Sequence, residues 1–314
     1  MLLTTFTALL PIMVTLALGF FAGWRHDFSG DQSKTLNSMV MKYALPMCLF
    51  ANLLATPRRD IFENRNLLLW IGFCRVVLFI IALVIMLTLT KEKQNIAALR
   101  AYSMTSPSVT FIGLPILSSF FGENEATLVV VIWSLMSNLI AMPIVLFFLA
   151  TGDENQTMSK KKLILESIKS AVSKPIVWAP LLAFIFVMIG VKLPLSLRNS
   201  FTFLGNATGG VALFASGITL FSYKVKINRE VVFDVFIKNL VFPALVLGIL
   251  WITHQEISMI KILVVAMAIP TASSAVIVST QYKEGQQVTA STLGLSTFLS
   301  VVTLPLFVYL SNLL

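Results

Sequence analysis

Ala101-Tyr-Ser-Met-Thr-Ser-Pro107-Ser-Val-Thr-Phe-Ile-Gly113-Leu-Pro115 and Val264-Val-Ala-Met-Ala-Ile-Pro270-Thr-Ala-Ser-Ser-Ala-Val-Ile-Val-Ser279 are the two stretches whose reading decides the fold. Each is apolar, and each carries a proline near its centre. Proline has no amide proton to donate and its ring clashes with the carbonyl one turn back, so a helix built from either stretch breaks or bends there. Within a lipid core an unpaired backbone group costs several kcal/mol. Such a break is therefore tolerated only where protein encloses it.

The surrounding sequence supplies that lipid core. Hydrophobic residues make up 57% of the 314 and charged residues 12%, with a mean hydropathy of +0.89, outside the range of an ordinary soluble domain. Ten apolar segments are predicted near 4–24, 36–54, 66–90, 96–121, 126–150, 175–193, 201–223, 231–253, 257–282 and 288–312. Each is about as long as a helix needs to be to cross the bilayer. The first lacks a basic run before its apolar stretch, and Arg25 follows it, which argues against a cleaved signal. Cys48 and Cys74 both fall inside predicted spans and the two His residues are isolated. A disulfide framework, a metal site and a cofactor thus have no support.

The net charge of +9 is distributed unevenly. Alternate loops carry 13 Lys and Arg on one side, among them Arg25, Lys34, Lys160, Lys174 and Lys283, against six on the other and four inside spans. The positive-inside rule assigns the richer face to the cytoplasm and both termini to the opposite side. The basic excess is a topology signal, not a nucleic-acid signal.

The polar stretch 151–174 divides the chain near its centre, with 159–169 read either as a short interfacial helix or as a solvated connector. Sliding the second half by 162–164 residues aligns Pro46 with Gly210, Arg75 with Lys238, Pro107 with Pro270, Gly122 with Gly285, Ser134 with Ser296 and Pro143 with Pro305. The fold class is therefore all-α and polytopic, with repeats at 1–150 and 175–314. Five spans per repeat is an odd number, so the second copy is inverted relative to the first and the two breaks are expected to meet near the midplane. Paired breaks of this kind point to a substrate site in a transporter.

The residue patterns around both prolines, Ser106-Pro-Ser-Val-Thr-Phe-Ile-Gly-Leu-Pro-Ile-Leu117 and Ala268-Ile-Pro-Thr-Ala-Ser-Ser-Ala-Val-Ile-Val-Ser-Thr-Gln-Tyr282, resemble the crossover helices of the auxin efflux carrier family. So do Asn37 to Pro46, Leu213-Phe-Ala-Ser-Gly217 and Leu293 to Pro305. The resemblance implies ten helices in two inverted repeats, with spans 1, 2, 6 and 7 as a scaffold and spans 3–5 and 8–10 as a moving transport unit. It implies a homodimer joined through the scaffold and places the chain in the plasma membrane with the malate and malonate permeases. Where many members carry Asn after the first crossover proline, this chain has Ser108, which disfavours an auxin-like substrate.

The residues themselves also point to an anion. Amides at the start of a half-helix carry partial positive charge. Candidate contacts are Pro107, Ser108 and Thr110 at the first break and Pro270, Thr271, Ser273 and Ser274 at the second, Ser108 and Thr271 being best placed. Each hydroxyl has an alternative role, bonding back to a carbonyl one turn earlier. Lys42, Arg75, Arg100 and Lys238 are charged within spans, with Asp234 the only comparable acid. Arg100 is near enough to a span end to snorkel, and Lys238, four residues after Asp234, is positioned to pair with it. Arg75 has no such acid and either takes helix-end carbonyls or helps to hold the anion. The expected ligand is a small dicarboxylate such as malate or malonate. Uniport, proton symport and exchange all stay open. The alternatives are a sodium-coupled carrier resembling bile-acid symporters, which would want acids or amides at the breaks, and a membrane enzyme or receptor, for which the chain offers neither a His/Asp/Glu constellation nor an output domain.

Overall fold

The computed structural model describes the chain except for residues 1, 56, 60–64, 91, 152–164, 166–168, 170–172, 192 and 223–225. Most of the 151–174 linker, and with it the reading of 159–169, lies outside the described residues. What is described is helical, apart from one isolated β-bridge discussed below. In chain order the helices are α1 (Leu2–Trp24), α2 (Gly30–Ala55), α3 (Arg65–Thr88), α4 (Gln94–Thr105), α5 (Leu114–Phe121) and α6 (residues 123–151). After the linker come α7 (Pro175–Ile189), α8 (Leu195–Ser222), α9 (Arg229–Ile252), α10 (Ile257–Ala268), α11 (Ser273–Tyr282) and α12 (Gln286–Asn312).

Local chemistry sets several ends. Ser29 and Gln32 form a capping box that opens α2, and the side chain of Asn228 accepts from the Val231 amide to open α9. Pro175 sits in the first turn of α7, where its missing amide proton costs nothing.

Five helices, α2, α3, α8, α9 and α12, are continuous and apolar over a length that crosses a membrane. The stretches around Pro107 and Pro270 do not reach that length as single helices, because each is interrupted at its centre and forms two short pieces, α4/α5 and α10/α11.

Prolines shape the long helices in a second way. π-turns occur at Val40–Ala44, Val109–Gly113, Ser137–Ala141 and Ile237–Val241. Each lies just before a proline (Pro46, Pro115, Pro143 or Pro243) and contains the residue four positions earlier. That residue's carbonyl is the one that a proline ring crowds and leaves without a donor. A wider turn relieves the clash without ending the helix. A fifth π-turn, Phe73–Val77, has no following proline and carries Arg75.

Packing sorts the helices into two groups. α1, α2, α7 and α8 pack on one another, while α3–α6 and α9–α12 form the rest. α1 and α8 touch backbone to backbone. A methyl group on Gly19 would stand 2.0 Å from the Phe214 carbonyl oxygen, and one on Gly217 would stand 2.1 Å from that of Leu16, so only glycine permits this crossing. The hydroxyl of Ser33 ties α2 to α8 by donating to the Ala215 carbonyl at 2.6 Å.

Candidate functional site

The two proline breaks meet. Pro107 and Thr271 face each other in an antiparallel β-bridge. The Ser108 amide donates to the Pro270 carbonyl at 2.8 Å, and the Ala272 amide to the Ser106 carbonyl at 2.7 Å. Each interruption thus satisfies polar groups that the other exposes, which removes the cost of broken helices in an apolar interior. This also changes the expectation from the sequence. Two amides anticipated as anion donors are spent on the bridge, and those with no carbonyl one turn earlier in their own helix are the first amides of the π-turn that starts at Val109 and the first of α11, from Ser273.

The hydroxyls divide unequally. Thr271 is fully buried; its amide donates to the Ser296 hydroxyl at 3.1 Å and its own hydroxyl donates to the Ser103 carbonyl at the end of α4. Thr271 therefore fastens the crossing, with both its amide and its hydroxyl engaged. Ser274 pairs with the Tyr102 hydroxyl at 3.2 Å. The side chain of Thr110 lies outside the described residues.

Ser108 and Ser273, by contrast, line a cavity of about 10 Å³ between the crossing and α1, α8 and α12. That volume holds about one water molecule. Ser216 and Thr297 also line it, but both donate to carbonyls of their own helices, at 2.7 Å in each case. The Ser108 and Ser273 hydroxyls have no partner among the described residues, although both residues are buried.

The intramembrane charges are arranged differently from their sequence spacing. Asp234 does not pair with Lys238. Arg100 takes it through two nitrogens, Nε at 3.0 Å from Oδ2 and a terminal nitrogen at 2.7 Å from Oδ1, and also binds Glu92. A π-turn begins at Ile237, between Asp234 and Lys238, so the spacing of a regular α-helix does not apply to them. The planar guanidinium also matches a carboxylate better than an ammonium does. Arg100 is consequently buried and bonded and does not snorkel.

Lys238, fully buried, donates to the Met267 carbonyl at 2.6 Å, near the C-terminal end of α10. Arg75, also fully buried, donates from Nε to the Ser137 hydroxyl at 2.6 Å. Its guanidinium carbon lies 4.9 Å from the Tyr102 ring centre and 5.7 Å from that of Phe79. Its two terminal nitrogens have no hydrogen-bond partner among the described residues. Both cations lie alongside the first half-helices, where they oppose the negative ends of α4 and α10. Neither lines the cavity that holds Ser108 and Ser273.

Comparison with known proteins gives this geometry its setting. Residues 4–308 match the family described as membrane transport protein. The chain belongs to that family, which includes the auxin efflux carriers. The transporter YfdV of Escherichia coli K12, itself uncharacterized, is 34% identical over 306 residues, covering 97% of both chains. A putative malonate transporter of Rhizobium meliloti is 23% identical over 304 residues, covering 96% of this chain and 94% of its own. Auxin efflux carrier component 8 of Arabidopsis thaliana is 20% identical over 318 residues, covering 84% and 85%. The resemblance read from the two proline motifs is therefore correct. The protein is a membrane transporter of the auxin efflux carrier family, not an enzyme.

One part of this carrier's crossing escaped the sequence reading. Asn239 donates to the Ser296 carbonyl at 2.9 Å and accepts from the Ser296 hydroxyl at 2.6 Å, and the same hydroxyl receives the Thr271 amide. A polar chain thus runs from the second break through α12 to α9. The available signal was an amide side chain next to Lys238 in an otherwise apolar span.

Proposed function

We propose that this transporter is a secondary carrier for a small organic anion, a dicarboxylate such as malate or malonate, working by alternating access in a bacterial cytoplasmic membrane. Its ten spans form two inverted five-helix repeats, 1–150 and 175–314, and α4/α5 and α10/α11 each count as one broken span. One observation carries the reading: the two proline breaks bridge each other beside a cavity into which Ser108 and Ser273 offer unpaired hydroxyls, closed in this conformation to the size of one water and opened to a dicarboxylate by movement of the crossing. Fixed positive charge nearby, from Arg75 and Lys238, favours an anion there through the local potential and not by direct contact. A relative named as a putative malonate transporter agrees with the substrate class.

In this reading α1, α2, α7 and α8 are the scaffold, through which two copies form a homodimer, and the remaining helices move as the transport unit. The mutual packing of those four helices supports the division. Both termini lie on the extracytoplasmic side in this reading, which the distribution of Lys and Arg supports. Uptake of labelled monocarboxylates, dicarboxylates and indole acids by proteoliposomes tests the substrate. Saturable uptake of malate or malonate is expected. Uptake confined to indole acids, or absent for every carboxylate, contradicts the reading.

A further inference from the structure

One helical turn beyond the small cavity lies a much larger one, of about 650 Å³. Ser216 and Ser273 line the small cavity, and Thr219 and Val276, three residues further along the same helices, line the large one. Its wall on α2 carries Lys34, Asn37 and Ser38 from the regular helix and Met41, Lys42 and Tyr43 from the π-turn at Val40–Ala44. Lys174, at the start of α7, closes the far side. The cavity lies between α2, the start of α7, α8 and α11, on the side of the molecule where the central linker joins.

Its chemistry is one-sided. Lys34, Lys42 and Lys174 contribute three positive charges, and no acidic side chain lines it among the described residues. Lys34 is bonded to Asp31 at 2.8 Å, so its charge is largely answered. Lys42 and Lys174 have no ion-pair partner among the described residues. Burial pushes the Lys174 ammonium below its ordinary range, with no carboxylate opposing the effect. Asn37, whose residue is only 9% exposed, lines the same wall, and its carboxamide makes no hydrogen bond among the described residues. Two unanswered ammonium groups and a free amide around one cavity are complementary to a carboxylate.

We propose that this cavity is a second anion site, an antechamber in which Lys42, Lys174 and Asn37 hold a small carboxylate one turn away from the crossing. The inference rests on the carrier reading for its role but not for its existence. The two lysines sit on α2 and at the N-cap of α7, not on the helices of the crossing, so both charges stay in place when the crossing moves. The carboxylate is gathered on the linker side only, which makes the two faces of the carrier unequal toward substrate.

The test uses Ser38→Cys as a reporter on the cavity wall, with Cys48 and Cys74 replaced by Ser, in nanodiscs of zwitterionic lipid. Labelling rates are measured with an anionic and a cationic methanethiosulfonate of similar size, with and without malonate. The anionic reagent is expected to react about tenfold faster, within the range by which charged clefts raise encounter rates. That preference should vanish in Lys42→Gln/Lys174→Gln. Malonate should slow labelling, and less so after Asn37→Ala. Equal rates for both reagents, or no protection by malonate, overturns the proposal. Protection by phosphatidylglycerol added to the disc, with malonate inert, also overturns it, since the cavity is then a lipid seat. Charge-selective labelling with malonate protection, in a protein that takes up no carboxylate in proteoliposomes, upholds the site and rejects the carrier reading instead.

Discussion

The two proline breaks, 163 residues apart, stand in similar stretches of sequence yet make different contacts. At the second, Thr271 is bound on both sides, by Ser296 through its amide and by Ser103 through its hydroxyl, and Asn239 extends that chain. At the first, Ser108 gives its amide to the bridge and keeps its hydroxyl free at the cavity. The repeat-related cations differ in the same sense. Lys238 is bonded to a helix-end carbonyl, whereas Arg75 rests on aromatic rings with two terminal nitrogens unpaired. Thr271 thus anchors the crossing, whereas Ser108, and with it Ser273 two residues after Thr271, keeps a hydroxyl available to a ligand. Two breaks at matching positions in the sequence therefore differ in the contacts that their residues make.

The strongest perturbation should come from the ion cluster that joins the halves. Arg100→Leu strands Asp234, which is fully buried, beside Glu92, and loss of one partner of a buried pair costs about 3–5 kcal/mol. Thermal unfolding followed with a thiol-reactive dye, which reports exposure of buried Cys74, should show a large drop in midpoint. An unchanged midpoint would mean that the halves are held together elsewhere.

A smaller effect separates the two cations. Lys238→Met removes a charged donor from the Met267 carbonyl, a loss of about 1.5–3 kcal/mol. Arg75→Met removes one bond to Ser137 together with an under-paired charge. It should cost less stability and lower substrate affinity more. Equal losses of stability in both variants would erase the distinction drawn between the halves.

Next comes Thr271→Val, which leaves the buried Ser103 carbonyl without its donor and should cost about 1–3 kcal/mol of stability. Substrate affinity in the protein that still folds should be nearly normal. If affinity falls with stability unchanged, Thr271 is a ligand contact after all.

Much of this organisation was legible in the sequence. Pro107 and Pro270 announced breaks because proline chemistry is local, and an offset of 163 residues paired them. Prolines 46, 115, 143 and 243 likewise mark the π-turns, once the crowded carbonyl four residues back is considered. Partners across the fold were not legible. Asp234 and Lys238 are neighbours on one helix, but Arg100 reaches Asp234 from 134 residues away, and nothing in local spacing reveals that contact. The same limit applies to the hydroxyls. Ser108 and Thr271 occupy similar positions after their prolines, and only the surrounding helices decide that one turns to the cavity and the other to a carbonyl.

The central claim is that the ligand is held at the crossing by the hydroxyls left free there. Equilibrium binding of labelled malonate to Ser108→Ala/Ser273→Ala in nanodiscs tests it most directly. Loss of two hydrogen bonds to a carboxylate, each worth about 1.5–3 kcal/mol, should weaken affinity about a hundredfold or more while the unfolding midpoint stays at the wild-type value. Wild-type affinity in the double variant would contradict the account and move the binding site away from the crossing.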